Sequence, residues 1–125
     1  MNYRNLFGDR RVFSFIARCY YVLLFTGLTL VANGQLLKVA VVGLSHDHAH
    51  AIMQQYRKGE VILLGIAEPD GPLVERYKKL YGLPDSILFN NMGTMLSRIK
   101  PEVVLSYNAI SEHLDVVEVC APKGI

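Results

Sequence analysis

Leu37-Lys-Val-Ala-Val-Val-Gly43-Leu-Ser-His-Asp-His48 decides how the rest of the chain is read. Val39 to Val42 is aliphatic and mostly β-branched with no alternating polar residue, the pattern of a strand buried on both faces of a parallel sheet. Gly43 ends the run. Beyond it Ala49, Ile52, Met53 and Tyr56 recur at helical spacing, so a helix is predicted over 47–58, closed by Lys58-Gly59. A strand, a glycine turn and a helix in that order open a dinucleotide-binding unit.

Downstream the alternation continues. Val61-Ile-Leu-Leu-Gly-Ile-Ala67 reads as a second buried strand that stops at Glu68-Pro69-Asp70-Gly71. Pro72 opens a helix through Leu73, Val74, Tyr77 and Leu80, ended by Gly82 and Pro84. Ile87-Leu88-Phe89 is a short third strand, and Asn91 or Thr94 caps a small helix around Met95-Leu96 that Pro101 stops. Val103-Val104-Leu105 is the fourth strand. Ser111 and Glu112 open a last helix through Leu114, Val117 and Val119, which Pro122 and Gly124 terminate. Four strands each followed by a helix predict an α/β fold: a Rossmann-type parallel sheet with helices on both faces, built from right-handed βαβ units. The chain stops after a helix, at Lys123-Gly124-Ile125, where a further strand is expected, so the sheet reads as an incomplete one.

Upstream, Arg4, Arg10, Arg11 and Arg18 flank or precede an apolar run from Tyr20 to Leu30, and Ala32-Asn33-Gly34 offers small residues for a signal peptidase. Residues 1–34 are therefore expected to be a removable signal peptide and residues 35–125 a partial nucleotide-binding domain. The apolar run is short of the roughly 20 residues a membrane span needs, so no stable span is expected after cleavage; an uncleaved anchor is the alternative. Arg10-Arg11-Val12-Phe13 resembles the core of a twin-arginine signal, used by proteins exported already folded. Both readings predict a periplasmic or otherwise exported protein.

The leader also carries the basicity. The whole chain has a net charge of +2, whereas residues 35–125 hold nine Lys/Arg and ten Asp/Glu, a net charge of −1. No basic cluster remains that would suit nucleic acid, so nucleic-acid partners are excluded. Cys120 is alone once Cys19 leaves, which rules out an intrachain disulfide and suggests a core position on an apolar helix face. Tyr77 and Tyr81 read as packing residues, and the stretch from Arg76 to Lys79 as a solvated face.

In a parallel sheet ligands lie beyond the carboxyl ends of the strands. The loops to weigh are therefore 43–48, 68–70, 89–91 and 106–113. The fingerprint G-x-G-x-x-G maps onto Gly43-Leu44-Ser45-His46-Asp47-His48 with only its first glycine present. Ser45 stands where backbone would approach a diphosphate, and its N–H and hydroxyl are candidate phosphate donors. Glu68 ends the second strand 25 residues after Gly43, near the separation of the acid that binds an adenosine ribose. A carboxylate there repels a 2′-phosphate and favours NAD over NADP. The plainer alternative makes Glu68 a solvated residue before a Pro-Asp-Gly turn.

Together, Lys38-Val-Ala-Val-Val-Gly43, Gly65-Ile-Ala-Glu68-Pro-Asp70, Tyr77-Lys-Lys-Leu-Tyr81-Gly82, Pro101-Glu-Val-Val104 and His113 leading into Val119-Cys-Ala-Pro-Lys-Gly-Ile125 resemble the N-terminal domain of the glucose-fructose oxidoreductase, inositol dehydrogenase and rhizopine-catabolism family (Gfo/Idh/MocA). The resemblance covers nearly all of residues 37–125. It implies an exported NAD-dependent oxidoreductase acting on a small sugar or cyclitol-type alcohol, or a relative that uses the same hydride step to cleave glycosides. It puts Gly43, Leu44, Ser45 and His46 in the cofactor loop, Glu68 against the ribose, and Asn108 and His113 near the nicotinamide side. The family's Glu-Lys-Pro segment, with its catalytic lysine, and its substrate domain would fall after Ile125, so no catalytic residue is expected in this chain and any homo-oligomer would form through that second domain.

Histidines fill the glycine loop, which opens a different class of reading. His46, His48 and His50 would share one face if the strand ran on, like the metal pair of amidohydrolases; on a helix starting near Ser45 or His46, only His46 and His50 would do so. A non-redox module holding a metal through this cluster is thus the alternative function. Otherwise Ser45 or Asp47 caps the helix and the histidines line the cleft or its rim.

Overall fold

The computed structural model describes residues 34–125, so the expected leader, apart from Gly34, lies outside the described residues. In chain order the elements are β1 (Lys38–Val42), α1 (Ala49–Lys58), β2 (Ile62–Ala67), α2 (Gly71–Tyr81), β3 (Leu88–Phe89), α3 (Met92–Arg98), β4 (Val103–Ser106) and α4 (His113–Cys120). Short 3-10 turns cover Asp85–Ile87, Ile110–Glu112 and Ala121–Lys123. The four strands form one parallel sheet in the order β3-β2-β1-β4. The chain thus builds outward from β1 to β3, then returns to the other side of β1. The carboxyl ends of β1 and β4 border the point where the winding reverses, and there the helices that follow leave towards opposite faces.

The unbroken apolar character of β1 has a direct structural cause. Val39 and Val41 face a core shared with Leu44, Ile52, Met53, Leu63, Ile66 and Tyr77, under α1 and α2. Ala40 and Val42 face a second core with Ala67, Met95, Val116 and Cys120, under α3 and α4. Because side chains alternate across a strand, a polar residue at any of these positions would be buried in one core or the other. On β2, Gly65 lets α3 lie close: a Cβ there would fall 2.8 Å from Ile99 Cδ1 and 2.9 Å from Met95 Sδ.

Helix ends follow local chemistry. Asp70 Oδ1 accepts the Leu73 N–H and Asn91 Oδ1 accepts the Thr94 N–H, each capping the helix that follows. Gly59 and Gly82 close α1 and α2 in the left-handed conformation. Strand bounds run slightly inside the predicted ones, with Leu37, Val61 and Ile87 left out and Ser106 added to β4.

Two predicted helix faces turn out differently. On α2, Leu80 is 54% exposed and Tyr81 takes its place in the core, because a fourth-residue step from Tyr77 follows the 3.6-residue period more closely than a third. On α4, Leu114 and Val117 are exposed at 64% and 59%, while Val116 and Cys120 are buried. That helix is apolar on most sides, so two stripes compete, and the sheet takes the i,i+4 pair. Within Arg76 to Lys79, Tyr77 turns fully inward while Lys78 pairs with Asp85. Among the described residues, no helix is long and apolar enough to cross a membrane.

Cys120 is buried as expected, and burial pushes its thiol pKa up. A thiol held neutral and covered reacts slowly. We expect Cys120 to resist a thiol-titrating reagent at neutral pH in the folded chain and to react at once in urea; fast labelling of the folded chain would show that α4 opens from the sheet.

Candidate functional site

At the carboxyl ends of the strands lies an open cleft of about 760 Å³. Its volume falls within the range of small-molecule sites. Each strand-to-helix loop contributes to it: Gly43 and Ser45 after β1, Glu68 and Asp70 after β2, Asn90 and Asn91 after β3, and Asn108 and Glu112 after β4. Four of the seven residues expected to touch a cofactor therefore come together here, namely Gly43, Ser45, Glu68 and Asn108.

Gly43 adopts φ +80°, and its N–H donates to the Ala67 carbonyl at 2.9 Å. A Cβ on it would lie 2.5 Å from the Asn108 backbone nitrogen. Only glycine lets the β4–α4 loop pass so close. The first glycine of the expected fingerprint is thus required by the neighbouring loop, whether or not a ligand also approaches it.

Glu68 is 8% exposed. Its Oε2 accepts the Leu44 N–H at 2.7 Å and its Oε1 accepts the Asp70 N–H at 2.9 Å. A turn residue left in water would not be held this way, so the solvated alternative for Glu68 does not describe it. Two amide donors occupy two of about four lone-pair sites on an ionised carboxylate, leaving acceptor capacity on a residue that lines the cleft.

The remaining expected residues are placed otherwise. Leu44 buries its side chain in the core and offers only its backbone, already donated to Glu68. His46 is exposed and outside the cleft lining; its N–H donates to the Tyr107 carbonyl at 3.0 Å. His113, the first residue of α4, is also exposed and outside the lining. The helix after β1 begins at Ala49, two residues later than predicted, and neither Ser45 nor Asp47 caps it. Ser45 Oγ instead donates to the Tyr107 carbonyl at 3.2 Å, and the His48 N–H donates to His46 Nδ1 at 3.2 Å.

That late start disperses the histidines. His46 and His48 have ring centroids 4.5 Å apart. His50 lies on α1, stacked on Tyr77 at 4.8 Å with its Nδ1 2.6 Å from the Tyr81 hydroxyl. Neither geometry expected for a shared metal face is formed, since the strand does not continue and His46 precedes the helix. Among the described residues, no group of three or more His, Cys, Asp or Glu side chains is arranged to hold a metal ion.

Tyr107 went unnoticed in the sequence. Its N–H donates to the Val42 carbonyl at 2.7 Å, and its own carbonyl takes both Ser45 and His46, tying the first loop to the end of β4. The work is done by its backbone, which leaves no mark on residue type. Asp115 and Val116 also line the cleft from α4. Their signal was the i,i+3 and i,i+4 spacing from Glu112 to Asp115 and Val116, which sets the three on one helix side.

The cleft's electrostatics are one-sided. Glu68, Asp70, Glu112 and Asp115 line it, and among the described residues no lysine, arginine or histidine does. Glu68, with acceptor capacity beyond its two amide bonds, suits a ligand that brings hydroxyl donors. An anionic group fits only where neutral N–H donors are aimed at it, because several loop donors are already committed within the chain. Comparison of the chain with family models, with curated proteins and with solved structures gives no match.

Proposed function

We propose that this cleft binds the adenosine half of a dinucleotide, NAD in preference to NADP, and that the chain is the nucleotide-binding portion of an exported oxidoreductase of the Gfo/Idh/MocA type acting on a sugar or cyclitol alcohol. The observation that carries the reading is Glu68: a buried carboxylate at the end of β2, held by the Leu44 amide beside the β1 turn, in a sheet of order β3-β2-β1-β4. Its role is to accept hydrogen bonds from the two ribose hydroxyls. Gly43 keeps the floor of the cleft free of a side chain. The nicotinamide supplies the hydride chemistry when bound. Among the described residues no lysine lines the cleft, and the group that exchanges a proton with the substrate is proposed to lie outside this unit, which contributes binding and orientation.

Titration of the chain with NADH, followed by nucleotide fluorescence, tests the reading. Saturable binding is expected, displaced by ADP. No binding up to millimolar NADH, together with zinc binding that His46→Ala abolishes, would replace it with the metal-holding module.

A further inference from the structure

We infer that Ser106 is a positioning residue that locks the Asn108 side-chain amide with its NH₂ turned into the cleft beside Gly43, and that this amide is the neutral donor on which a bound phosphate depends. The inference rests on the nucleotide reading given above.

Asn108 lines the cleft and lies against the β1 turn, with its backbone nitrogen, Cα and Cβ all within 2.7 Å of where a Gly43 Cβ would be. Ser106 Oγ is 2.5 Å from Asn108 Oδ1. The hydroxyl donates to that oxygen, and the amide nitrogen points away from it.

The surroundings give that nitrogen its importance. Leu44 N–H is spent on Glu68, and both His46 N–H and the Ser45 hydroxyl are spent on Tyr107, which leaves the Ser45 N–H, with no bond among the described residues, beside the Asn108 amide. With four carboxylates and, among the described residues, no cationic side chain in the lining, an anion needs uncharged donors. Asn90 and Asn91 follow β3, two strands away from β1, whereas Asn108 follows the strand hydrogen-bonded to it. Ser106, at the last position of β4, makes the orientation of Asn108 a property of the sheet rather than of the loop.

Affinities of the full chain for NADH, ADP and adenosine separate this from its premise. Asn108→Asp keeps the acceptor for Ser106 and replaces the NH₂ by a charged oxygen; NADH and ADP should bind about tenfold to a hundredfold more weakly, the size of one hydrogen bond to a charged group, while adenosine changes little. Ser106→Ala should weaken NADH and ADP about threefold to tenfold with adenosine again unchanged, and Ser106→Thr, which restores the hydroxyl, should recover them. Thermal melting is read on each variant; if Asn108→Asp fails to fold, the Ser106 pair decides. Parent-like NADH binding in both Ser106→Ala and Asn108→Asp overturns the inference and leaves the nucleotide reading standing. Equal losses for adenosine and ADP also overturn it, since the amide would not be acting on phosphate. A parent chain that binds neither NADH nor ADP overturns both.

Discussion

Gly43→Ala is expected to bring the domain to the edge of unfolding. At φ +80° an L-residue is strained by about 1–2 kcal/mol. The added Cβ would also lie 2.5 Å from the Asn108 backbone nitrogen and 2.6 Å from its Cβ. Neither is the far end of a flexible side chain, so the β4–α4 loop must move. Moving it strains the bonds that Tyr107 makes to Val42, Ser45 and His46, each worth about 1 kcal/mol. The total is about 3–5 kcal/mol, a large share of the ~5–15 kcal/mol that holds a domain together. Urea unfolding followed by circular dichroism measures it, with Gly93→Ala as the control. A Cβ at Gly93 meets nothing nearer than Asn91 Oδ1 at 3.5 Å, and alanine is the better helix former there. A loss at Gly43 below about 1 kcal/mol would mean that the two loops part easily, and the cleft would lack a rigid floor.

Glu68→Ala is expected to damage both stability and binding, by separable routes. It leaves the Leu44 and Asp70 amides without their acceptor, at a cost of about 2–4 kcal/mol for the two. It also removes the proposed ribose acceptor, so NAD affinity should fall about tenfold to a hundredfold. NADP should lose less, because the parent carboxylate already repels its 2′-phosphate and the variant relieves that repulsion. Glu68→Gln refines the comparison. Its single oxygen can satisfy one amide while its NH₂ faces the other, so stability should fall between parent and alanine variant. The ratio of NAD to NADP affinity, measured on protein shown to be folded, is the readout that stability alone does not move. An unchanged ratio would mean that the carboxylate serves the β1–β2 loops and does not touch a ribose.

Much of the architecture was legible because the signals are local. Val39 to Val42 carries no polar residue, since both sheet faces are covered, and that one property implied the helical layers. Asn91 was named as one of two caps for α3, and the structure selects it. Gly59 and Gly82 end their helices as their sequence context suggested, because a left-handed turn is a demand on a single residue. The position of Glu68 just after β2 was legible from the strand pattern, although its grip on the Leu44 amide was not, since nothing in residue type announces a bond across 24 positions.

Residue order alone thus determined the sequence of strands and helices, the glycine that turns the chain after β1, and the acid that closes β2, all set by steric and hydrophobic preferences of a few neighbouring residues. Only the tertiary structure decided which stripe of α4 meets the sheet, that His50 goes to Tyr81 while His46 stays with His48, and that Tyr107 and Asn108 are brought against the first loop. Those outcomes depend on how parallel strands distant in sequence align side by side. The His50–Tyr81 contact joins residues 31 positions apart and the Ser45–Tyr107 contact residues 62 apart, and no short-range pattern encodes either.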